Sequence, residues 1–491
     1  MLNSRSATLR FLFPYLAFCL LLIFVSADSI SSLGQTSSKP DQPAVAADDQ
    51  KPSSESTDTK ISAKEADDLF REVNKILQFA SKDTDLPIKH PVKPRLTGRD
   101  EVVAYLQKNM AEDKDAKRLQ RSELVLKKFG LLPPNFDLGK FLVALLKEQI
   151  AGYYDPKTKT VNLLDWVDVV AQRPVLAHEL THALQDQSFN LGKWMEKGDV
   201  DLNTKRKPSP ADVQKDETPE ARQAVVEGQA MAVLVDYMLA PTGQSLANSP
   251  EVAKAIEDGM LTGTPDSVLF RSAPIYLREA ITFPYRYGLE FEAALLHAGG
   301  KQKAYAGAFE NPPYTTRQIM EPETYLSGER LTPLPLPDFK HIFKNYKRFD
   351  VGAIGEFDVA VLLDQYAGTE ASRKLYPQWR GGYYYAARPK RDPSAGLGLL
   401  YVSRWSDSEA ASAFAAFYAE YLPKRCLHLH EVTPDENKSD TNQEHLEGLH
   451  TWTTEDGPVA IDVEGDTVFI SESLDQSTTD RLETSVFGTK K

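Results

Sequence analysis

The hydrophobic pattern in the first half of the chain is that of amphipathic helices. In "ADDLFREVNKILQFA" apolar residues recur every three or four positions, and "SAKE" at Ser62 offers a capping box in front of them. "TGRDEVVAYLQKNM" begins in the same way at Thr97, and the helical period continues through "FLVALLKEQI". These segments predict that the first half of the protein is mainly helical.

The pattern changes from helical to alternating shortly before residue 165. Two short runs, Gly152–Tyr154 and Thr160–Leu164, flank the turn-forming sequence "DPKT", so a β-hairpin is expected. An exposed strand at this place could hold an extended peptide by adding it to the sheet. The next sequence, "PVLAHELTHALQDQ", predicts a helix with Pro174 in its first turn.

Residues 218–239, "TPEARQAVVEGQAMAVLVDYML", predict a second long helix. Thr218 is its expected cap and Pro219 its first residue. Glu227 stands among Ala, Val and Gly in the interior of this helix, where a charged side chain needs a partner or a metal ion. The polar stretch before it, residues 193–217, predicts a mobile loop, with a lid over a binding site as the alternative.

The C-terminal third has its own pattern, which begins after the Pro-rich residues 331–340. "WRGGYYYAARP" and "GLGLLYVSRW" predict strands, "SDSEAASAFAAFYAEYL" a helix, and "GPVAIDVEG" and "DTVFISES" two further strands. The predicted fold class is therefore α+β. A mainly helical domain with a small sheet is expected over residues 61–335, and a smaller α+β domain over residues 336–491.

The N-terminus is typical of an exported protein. Arginines precede the apolar run "FLFPYLAFCLLLIFVSA", which ends in small residues, so residues 1–27 are predicted to be a signal peptide. An uncleaved membrane anchor is the alternative, because the run is only slightly short for a span. Residues 28–60 contain almost no large apolar side chains and predict a disordered tether. The expected location is secreted or periplasmic.

Composition narrows the classes of partner. The formal net charge of −13 argues against a nucleic-acid partner or binding to an anionic membrane surface. Apolar and charged fractions of 41% and 26% are those of a soluble globular protein. Once residues 1–27 are removed, Cys426 is the one remaining cysteine, so no intramolecular disulfide is expected. A structural thiol is favoured there over a catalytic nucleophile.

The sequence His-Glu-Leu-Thr-His at residues 178–182 carries the candidate chemistry. On a helix, His178 and His182 lie on one face and can bind one metal ion, and Glu179 lies beside that face. A zinc ion lowers the pKa of a bound water towards 7 and polarises a carbonyl, and a nearby carboxylate can accept the proton. A catalytic zinc site requires a third ligand, for which Glu227 is the first candidate and Glu220 the weaker one.

This combination of His-Glu-x-x-His with a later helix that bears a glutamate resembles the gluzincin branch of the zincin metallopeptidases. The resemblance covers residues 150–240 and implies a zincin-like metallopeptidase domain, one Zn²⁺ ion and a protein or peptide substrate. It implies that His178, His182 and Glu227 bind zinc and that Glu179 is the general base. Met231 stands where thermolysin-like gluzincins have an aspartate, so a divergent secreted bacterial-like group is indicated. Gln185 and Ser188 exclude the metzincin pattern.

Other interpretations of the same residues stay open at the level of sequence. Glu227 could pair with Arg222 and leave the third ligand elsewhere, and Asp186 could orient an imidazole of the metal site. "FPYRYG" at residues 283–288 and His297 could stabilise an oxyanion, although an aromatic core is favoured.

Two further alternatives concern the C-terminal third and the function as a whole. His428 and His430 could form a second metal site with other histidines of the C-terminal third. The alternative function is that of a secreted or surface binding protein on a zincin fold, with a structural or vestigial metal site.

Overall fold

The computed structural model describes residues 60–102, 113–149, 152–200, 207–249, 267–432 and 445–489, together with residues 104, 202 and 252. The predicted signal peptide, residues 1–27, and the predicted tether up to residue 59 lie outside the described residues.

Helices dominate the first two thirds of the described chain and are interspersed with strands in the last third. The described helices are α1 (Ala63–Thr84), α2 (Asp113–Lys128), α3 (Leu138–Gln149), α4 (Val169–Phe189), α5 (Leu191–Glu196), α6 (Pro210–Gln214), α7 (Thr218–Leu239), α8 (Val268–Arg271), α9 (Ile275–Lys301), α10 (Ala308–Glu310), α11 (Thr316–Met320), α12 (Pro322–Leu326), α13 (Phe339–Ile342), α14 (Glu356–Tyr366), α15 (Thr369–Leu375), α16 (Ser408–Arg425) and α17 (Gln476–Phe487). Short 3₁₀ turns at Lys215–Glu217, Ala240–Thr242 and Tyr376–Gln378 and a π-helical turn at Gln302–Gly307 connect some of them.

The strands form two separate sheets. They are β1 (Lys93–Thr97), β2 (Gly152–Asp155), β3 (Thr160–Leu164), β4 (Tyr346–Ala353), β5 (Trp379–Pro389), β6 (Gly398–Trp405), β7 (His430–Glu431), β8 (His450–Thr454), β9 (Gly457–Glu464) and β10 (Thr467–Glu472). The small sheet has the order β1-β3-β2, and the large sheet has seven strands in the order β4-β5-β6-β10-β9-β8-β7. The α+β fold class is confirmed at this level.

The predicted hairpin and the capping box at Ser62 are confirmed. β2 pairs with β3 in antiparallel fashion, from Gly152 opposite Leu163 to Asp155 opposite Thr160. The Ser62 side chain accepts a hydrogen bond from the Glu65 backbone N–H, and the Glu65 side chain accepts one from the Ser62 N–H. β1 joins the hairpin in parallel to β3, a pairing that local sequence patterns did not indicate.

The predicted position of Pro174 in a first helical turn is wrong. α4 begins at Val169, where the side chain of Asp168 accepts hydrogen bonds from the backbone N–H groups of Val170 and Ala171. Pro174 therefore lies inside the helix. The residue one turn before it, Val170, is 67% exposed, so the proline interrupts the helix ladder near its solvated end rather than in the core.

α7 lies deep inside the protein: nearly all of its residues are buried. It has the predicted bounds, Thr218–Leu239, but its cap position is occupied by Glu217 rather than Thr218, because the 3₁₀ turn Lys215–Glu217 leads directly into it. Among the described residues, one helical stretch, Pro210–Thr242, is long and apolar enough to cross a membrane, and 78% of its 18-residue apolar window is buried inside the protein. The same composition is typical of a core helix.

The stretch of residues 193–217 is more ordered than the loop prediction. Its described part includes the end of α5, all of α6 and the 3₁₀ turn, and Ser209 and Asp212 form a capping box at the start of α6. Trp194 in α5 is buried and donates its indole N–H to the Phe309 carbonyl at 2.9 Å.

The C-terminal sheet matches the four predicted strands and the predicted helix. β5, β6, β9, β10 and α16 fall on the predicted segments, whereas β4, β7, β8, α14 and α17 were not predicted. Neighbouring strands all run antiparallel, and their side chains alternate between two layers. Thus Ile470 belongs to the large core on the α16 face, and Phe469 belongs to the smaller core on the α17 face.

One continuous hydrophobic core joins the helical part to the C-terminal sheet. Phe357 of α14 packs against Phe283 and Tyr276 of α9, with ring centroids 4.7 and 6.1 Å away. The Tyr276 hydroxyl donates to Asp358 at 2.9 Å. The boundary predicted between residues 335 and 336 stays a prediction, because apolar contacts continue across it.

Candidate metal centre

α4 carries the His-Glu-Leu-Thr-His sequence into the centre of the protein. His178 and His182 are 0% exposed and Glu179 is 1% exposed. Leu176, Leu180 and Ala183 on the same helix are also fully buried, so α4 is covered on several sides at this point. A helix that is surrounded in this way can bring polar side chains into a dry interior only if they find partners there.

The partner of the two histidines is Glu227 from α7. His178 Nε2 lies 3.1 Å and His182 Nε2 3.5 Å from Glu227 Oε2, and the two Nε2 atoms lie 3.0 Å apart. Among the described residues, these three side chains are the one group of His, Cys, Asp or Glu whose ligand atoms converge closely enough to hold a metal ion. Glu227 is 0% exposed, as are both histidines.

The spacing and the chemistry of these three atoms fit zinc. Ligands held about 2.0–2.1 Å from a tetrahedral zinc ion lie about 3.3 Å from one another. The observed separations of 3.0, 3.1 and 3.5 Å lie around that value. Two imidazole nitrogens and one carboxylate oxygen are a donor set that zinc accepts, and three protein ligands leave a fourth position for water or substrate.

The charges in the cluster are strongly coupled. Burial lowers the pKa of His178 to about 4. Burial acts in the same direction on His182, but the Glu227 carboxylate outweighs it and raises the pKa of His182 to about 9. For Glu227, the cost of burial is outweighed by His182 and by the hydrogen bond with His178, which lower its pKa to about 2. The Glu227 carboxylate thus favours a positive charge at this point, which a divalent cation also satisfies.

A chain of buried glutamines holds His182. Gln185 Oε1 accepts a hydrogen bond from His182 Nδ1 at 2.9 Å, while Gln185 Nε2 donates to the Val226 carbonyl at 3.1 Å and to Gln229 Oε1 at 3.0 Å. Gln229 Nε2 in turn donates to the backbone carbonyls of residues 304 and 305. Because the Gln185 amide is fixed in this way, it accepts a hydrogen bond from His182 Nδ1, so that a neutral His182 would leave its Nε2 lone pair facing Glu227 and His178.

His178 and Glu227 are held by different groups. Glu227 Oε1 accepts a hydrogen bond from Gln223 Nε2 at 2.7 Å, which leaves Oε2 directed at the histidines. The ring of Tyr285 from α9 stacks against His178 with centroids 6.3 Å apart. His178 Nδ1 faces the backbone of Ala230 but makes no hydrogen bond of standard geometry.

Glu179 points from α4 towards the small sheet. Its Oε2 accepts a hydrogen bond from the Tyr154 backbone N–H of β2 at 2.7 Å. Burial raises the pKa of Glu179 to about 8; the positive charge of His182 opposes this shift and the negative charge of Glu227 adds to it. The carboxyl group is therefore close enough to the cluster to be affected by its charge.

The expectation of an exposed strand beside the site is wrong for β2. All four residues of β2 are buried, and the edge of this strand is turned towards α4 through the Tyr154–Glu179 hydrogen bond. The other edge of the small sheet is β1, where exposed and half-buried residues alternate up to the buried Thr97. A peptide can therefore pair with β2 only after this edge is uncovered.

Two glycines let α7 cross α9 at a short distance: Gly228 of α7 meets Gly288 of α9. A Cβ atom at Gly228 would lie 2.2 Å from the Gly288 carbonyl oxygen, and one at Gly288 would lie 2.4 Å from the Ala224 carbonyl oxygen. This crossing, one residue after Glu227, brings α9 and its Tyr285 against the cluster.

The structure separates the remaining candidates of the helical part. Glu220 is buried but does not belong to the cluster. Arg222 lies over the Trp194 ring, 4.4 Å from its centroid, and is not the partner of Glu227. Asp186 accepts a hydrogen bond from the Tyr154 hydroxyl at 3.1 Å, so Gln185 and not Asp186 orients the imidazole. His297 is exposed.

The candidates of the C-terminal third do not form a second cluster. His428 and His430 are exposed, and no further group of metal-binding side chains converges in the part of the chain that the structure describes. Cys426 is partly buried, and burial raises the pKa of its thiol, which disfavours the reactive thiolate form.

Sequence patterns missed the three glutamines that support the cluster. Gln223 and Gln229 lie in the apolar interior of α7, within a turn of Glu227, and Gln185 lies three residues after His182. Uncharged polar residues in an apolar helix must be hydrogen-bonded when buried, and this was the available signal. Which group each amide contacts depends on the packing of α4 on α7 and could not be read from spacing.

Comparison with known proteins adds one finding for the C-terminal part. Residues 345–483 match a family model described as a domain of unknown function, DUF8575. No curated protein and no solved structure matches the chain significantly. The matched residues include the seven-stranded sheet and exclude His178, His182 and Glu227.

Proposed function

We propose that this protein is an exported, zinc-dependent peptidase that hydrolyses peptide bonds, most simply as an endopeptidase. His178, His182 and Glu227 hold one zinc ion, and Glu179 is the general base. The observation that carries the proposal is the convergence of the two Nε2 atoms and one carboxylate oxygen to within 3.0–3.5 Å of one another in the protein interior.

The residues around the cluster support a hydrolytic role for Glu179. A zinc ion at this site would supply Lewis-acid chemistry, lowering the pKa of a bound water and polarising the scissile carbonyl. Tyr154 fixes one carboxylate oxygen of Glu179, which leaves the other to accept a proton from water and to deliver it to the leaving amine. Burial raises the pKa of the Glu179 carboxyl group, so the buried environment favours its uptake of a proton.

The test is metal analysis together with peptide cleavage on the purified full chain. Glu179→Gln should keep one equivalent of zinc and lower cleavage of a quenched-fluorescence peptide library by about 10²- to 10⁴-fold, the usual contribution of a general base. Glu227→Gln should lose zinc, whereas Glu220→Gln, a change of another buried glutamate on the same helix, should retain it.

Each outcome bears on a different part of the proposal. A wild-type protein without zinc overturns the metal site. If Glu227→Gln retains zinc and Glu220→Gln loses it, the third ligand is Glu220 and not Glu227. Cleavage by Glu179→Gln at the wild-type rate refutes the assigned base.

A second function is supported by the burial of the site. His178, Glu179, His182 and Glu227 are at most 1% exposed, as in a structural metal site inside a binding protein. In that case zinc removal lowers the melting temperature sharply, the wild type cleaves no peptide, and Glu179→Gln behaves as the wild type in every assay. If the protein is a peptidase, α4, α7, α9 and β2 must separate enough to admit a substrate.

A further inference from the structure

The C-terminal sheet unit contacts the helix that supplies the third metal ligand. The contact lies at the 3₁₀ turn Lys215–Glu217, which continues without interruption into α7. Two acids of this turn, Asp216 and Glu217, are only 2% and 1% exposed. Acids buried this deeply are not solvated, and the helix dipole alone does not offset the cost of burying their charge. They therefore need hydrogen-bond partners inside the protein.

Both acids are bonded to groups outside their own helix. Asp216 Oδ2 accepts a hydrogen bond from the Ala353 N–H at the end of β4, at 3.0 Å. Glu217 Oε2 accepts from the backbone N–H and the hydroxyl of Thr316, at 2.9 and 2.5 Å. The Thr316 hydroxyl oxygen accepts in turn from the Phe357 N–H of α14 at 3.3 Å. The start of α7 is thus tied to the junction between β4 and α14.

Two glycines make this close approach possible. A Cβ atom at Gly352 would lie 2.8 Å from Asp216 Oδ2, and one at Gly355 would lie 2.3 Å from Glu217 Oε2 and 2.7 Å from the Thr316 hydroxyl oxygen. Neither glycine has a positive φ, so close packing rather than backbone conformation requires them. The side chains of Asp216 and Glu217 occupy the space that a larger residue would need.

α7 connects this contact rigidly to the metal site. Glu227 follows Glu217 by ten residues, or about 15 Å along one unbroken helix axis. A slip of α7 by one residue translates Glu227 by about 1.5 Å and rotates it by about 100°. A metal site tolerates ligand displacements of only about 0.2 Å. The same displacement would also disrupt the Gly228–Gly288 contact, which lies one residue after Glu227.

We propose that the C-terminal unit sets the position of α7 through Asp216, Glu217 and Thr316, and that these residues are positioning residues for the metal ligand Glu227. The proposal rests on the metal site of the proposed function and does not depend on catalysis. Thr316 is included because its hydroxyl group links the 3₁₀ turn to α14.

The first test compares two glycine substitutions in the same unit. Gly355→Ala introduces the clash with Glu217. Gly398→Ala introduces a matched clash elsewhere, with its Cβ 2.4 Å from Leu474 Cδ2. Both variants should melt at a lower temperature than the wild type. Only Gly355→Ala should weaken zinc binding, by about 10- to 100-fold in a chelator competition assay, and change the visible absorption of the Co²⁺-loaded protein.

The second test is milder and keeps the fold. Thr316→Val removes the hydroxyl group that bonds Glu217 and Phe357 while keeping the shape of the side chain. Thr316→Ser is the control, because it keeps the hydroxyl group. The zinc affinity of Thr316→Val should be about tenfold lower than that of the wild type, and the zinc affinity of Thr316→Ser should be close to that of the wild type.

Equal zinc affinities of Gly355→Ala and Gly398→Ala would overturn the inference. The same holds if Thr316→Val and Thr316→Ser have equal zinc affinities and the same Co²⁺ spectrum. A wild-type protein that binds no zinc removes the metal site itself, and with it both this inference and the proposed function. Normal zinc binding in the wild type with no effect of the variants removes the inference alone.

Discussion

Gln185 is the most informative single position for testing the metal centre. It is fully buried and connects His182 to α7 through three hydrogen bonds: one accepted from His182 Nδ1 and two donated, to the Val226 carbonyl and to Gln229 Oε1. Gln185→Met keeps the length and volume of the side chain and removes every one of these bonds. The His182 N–H and the Gln229 carbonyl oxygen then lose a partner in the interior.

The size of the effect follows from these two groups. A buried donor or acceptor that loses its partner costs about 1–3 kcal/mol, so the variant should lose about 2–6 kcal/mol in all. Part of that loss should appear in metal binding, because His182 is then free to rotate or to change tautomer. Loss of a group that orients a metal-binding histidine typically lowers affinity about 10- to 100-fold, or about 1.4–2.8 kcal/mol.

A second glutamine of the same helix provides the control. Gln172 is also fully buried and also makes three hydrogen bonds, to the backbone N–H and carbonyl of Leu164 and to the carbonyl of Val167. Gln172→Met should therefore lower the free energy of unfolding by a similar amount without changing the zinc affinity.

The assay is zinc competition with a chromogenic chelator, with urea unfolding of both variants alongside. Gln185→Met should bind zinc about 10- to 100-fold more weakly than Gln172→Met. Equal zinc affinities in two variants of equal stability would refute the role assigned to Gln185.

Two other predictions concern stability. Gly228→Ala should destabilise the protein by about 1–3 kcal/mol in urea unfolding, because its Cβ would lie 2.2 Å from the Gly288 carbonyl oxygen. Gly192→Ala lies in a helix with no atom within 4 Å of the new Cβ and should stabilise the protein by about 0.5–1 kcal/mol. If Gly228→Ala were the more stable of the two variants, the close crossing of α7 and α9 would be contradicted. Burial, together with repulsion from Asp83, raises the pKa of Asp236 to about 7. As the pH rises, the unfolded chain therefore loses this proton before the folded protein does. The free energy of unfolding should fall as the pH rises from about 4 to 7. Asp236→Asn should therefore raise the melting temperature over the wild type more at pH 8 than at pH 5, and an equal gain at both values would show that the carboxyl group is ionised throughout.

Elements with a strong local signal were predictable from the sequence. The bounds of α7 follow from Pro219 and a long apolar run, and the hairpin of β2 and β3 follows from alternation around a turn. Glu227 could be selected because a lone acid in an apolar helix is costly without a partner. The start of α4 was misplaced because Pro174 dominated the local pattern, although Asp168 is the actual cap.

Features that depend on long-range packing were not predictable. β1 pairs with β3 across more than sixty residues, with Leu96 opposite Leu163, and no local period encodes such a partner. The closed edge of β2 results from one hydrogen bond between Tyr154 and Glu179, which only the packing of α4 creates. The role of Gln185 likewise requires α7 beside α4.

The continuous core has a consequence for the order in which the protein becomes complete. A chain is made, and leaves the ribosome, from its N-terminus, so α4 and α7 appear before β4 and α14. The helical part cannot bury Phe283 and Tyr276 fully until Phe357 arrives, because these side chains share one core. A truncated product that lacks the last third would therefore expose apolar surface of Phe283 and Tyr276 that the complete chain covers.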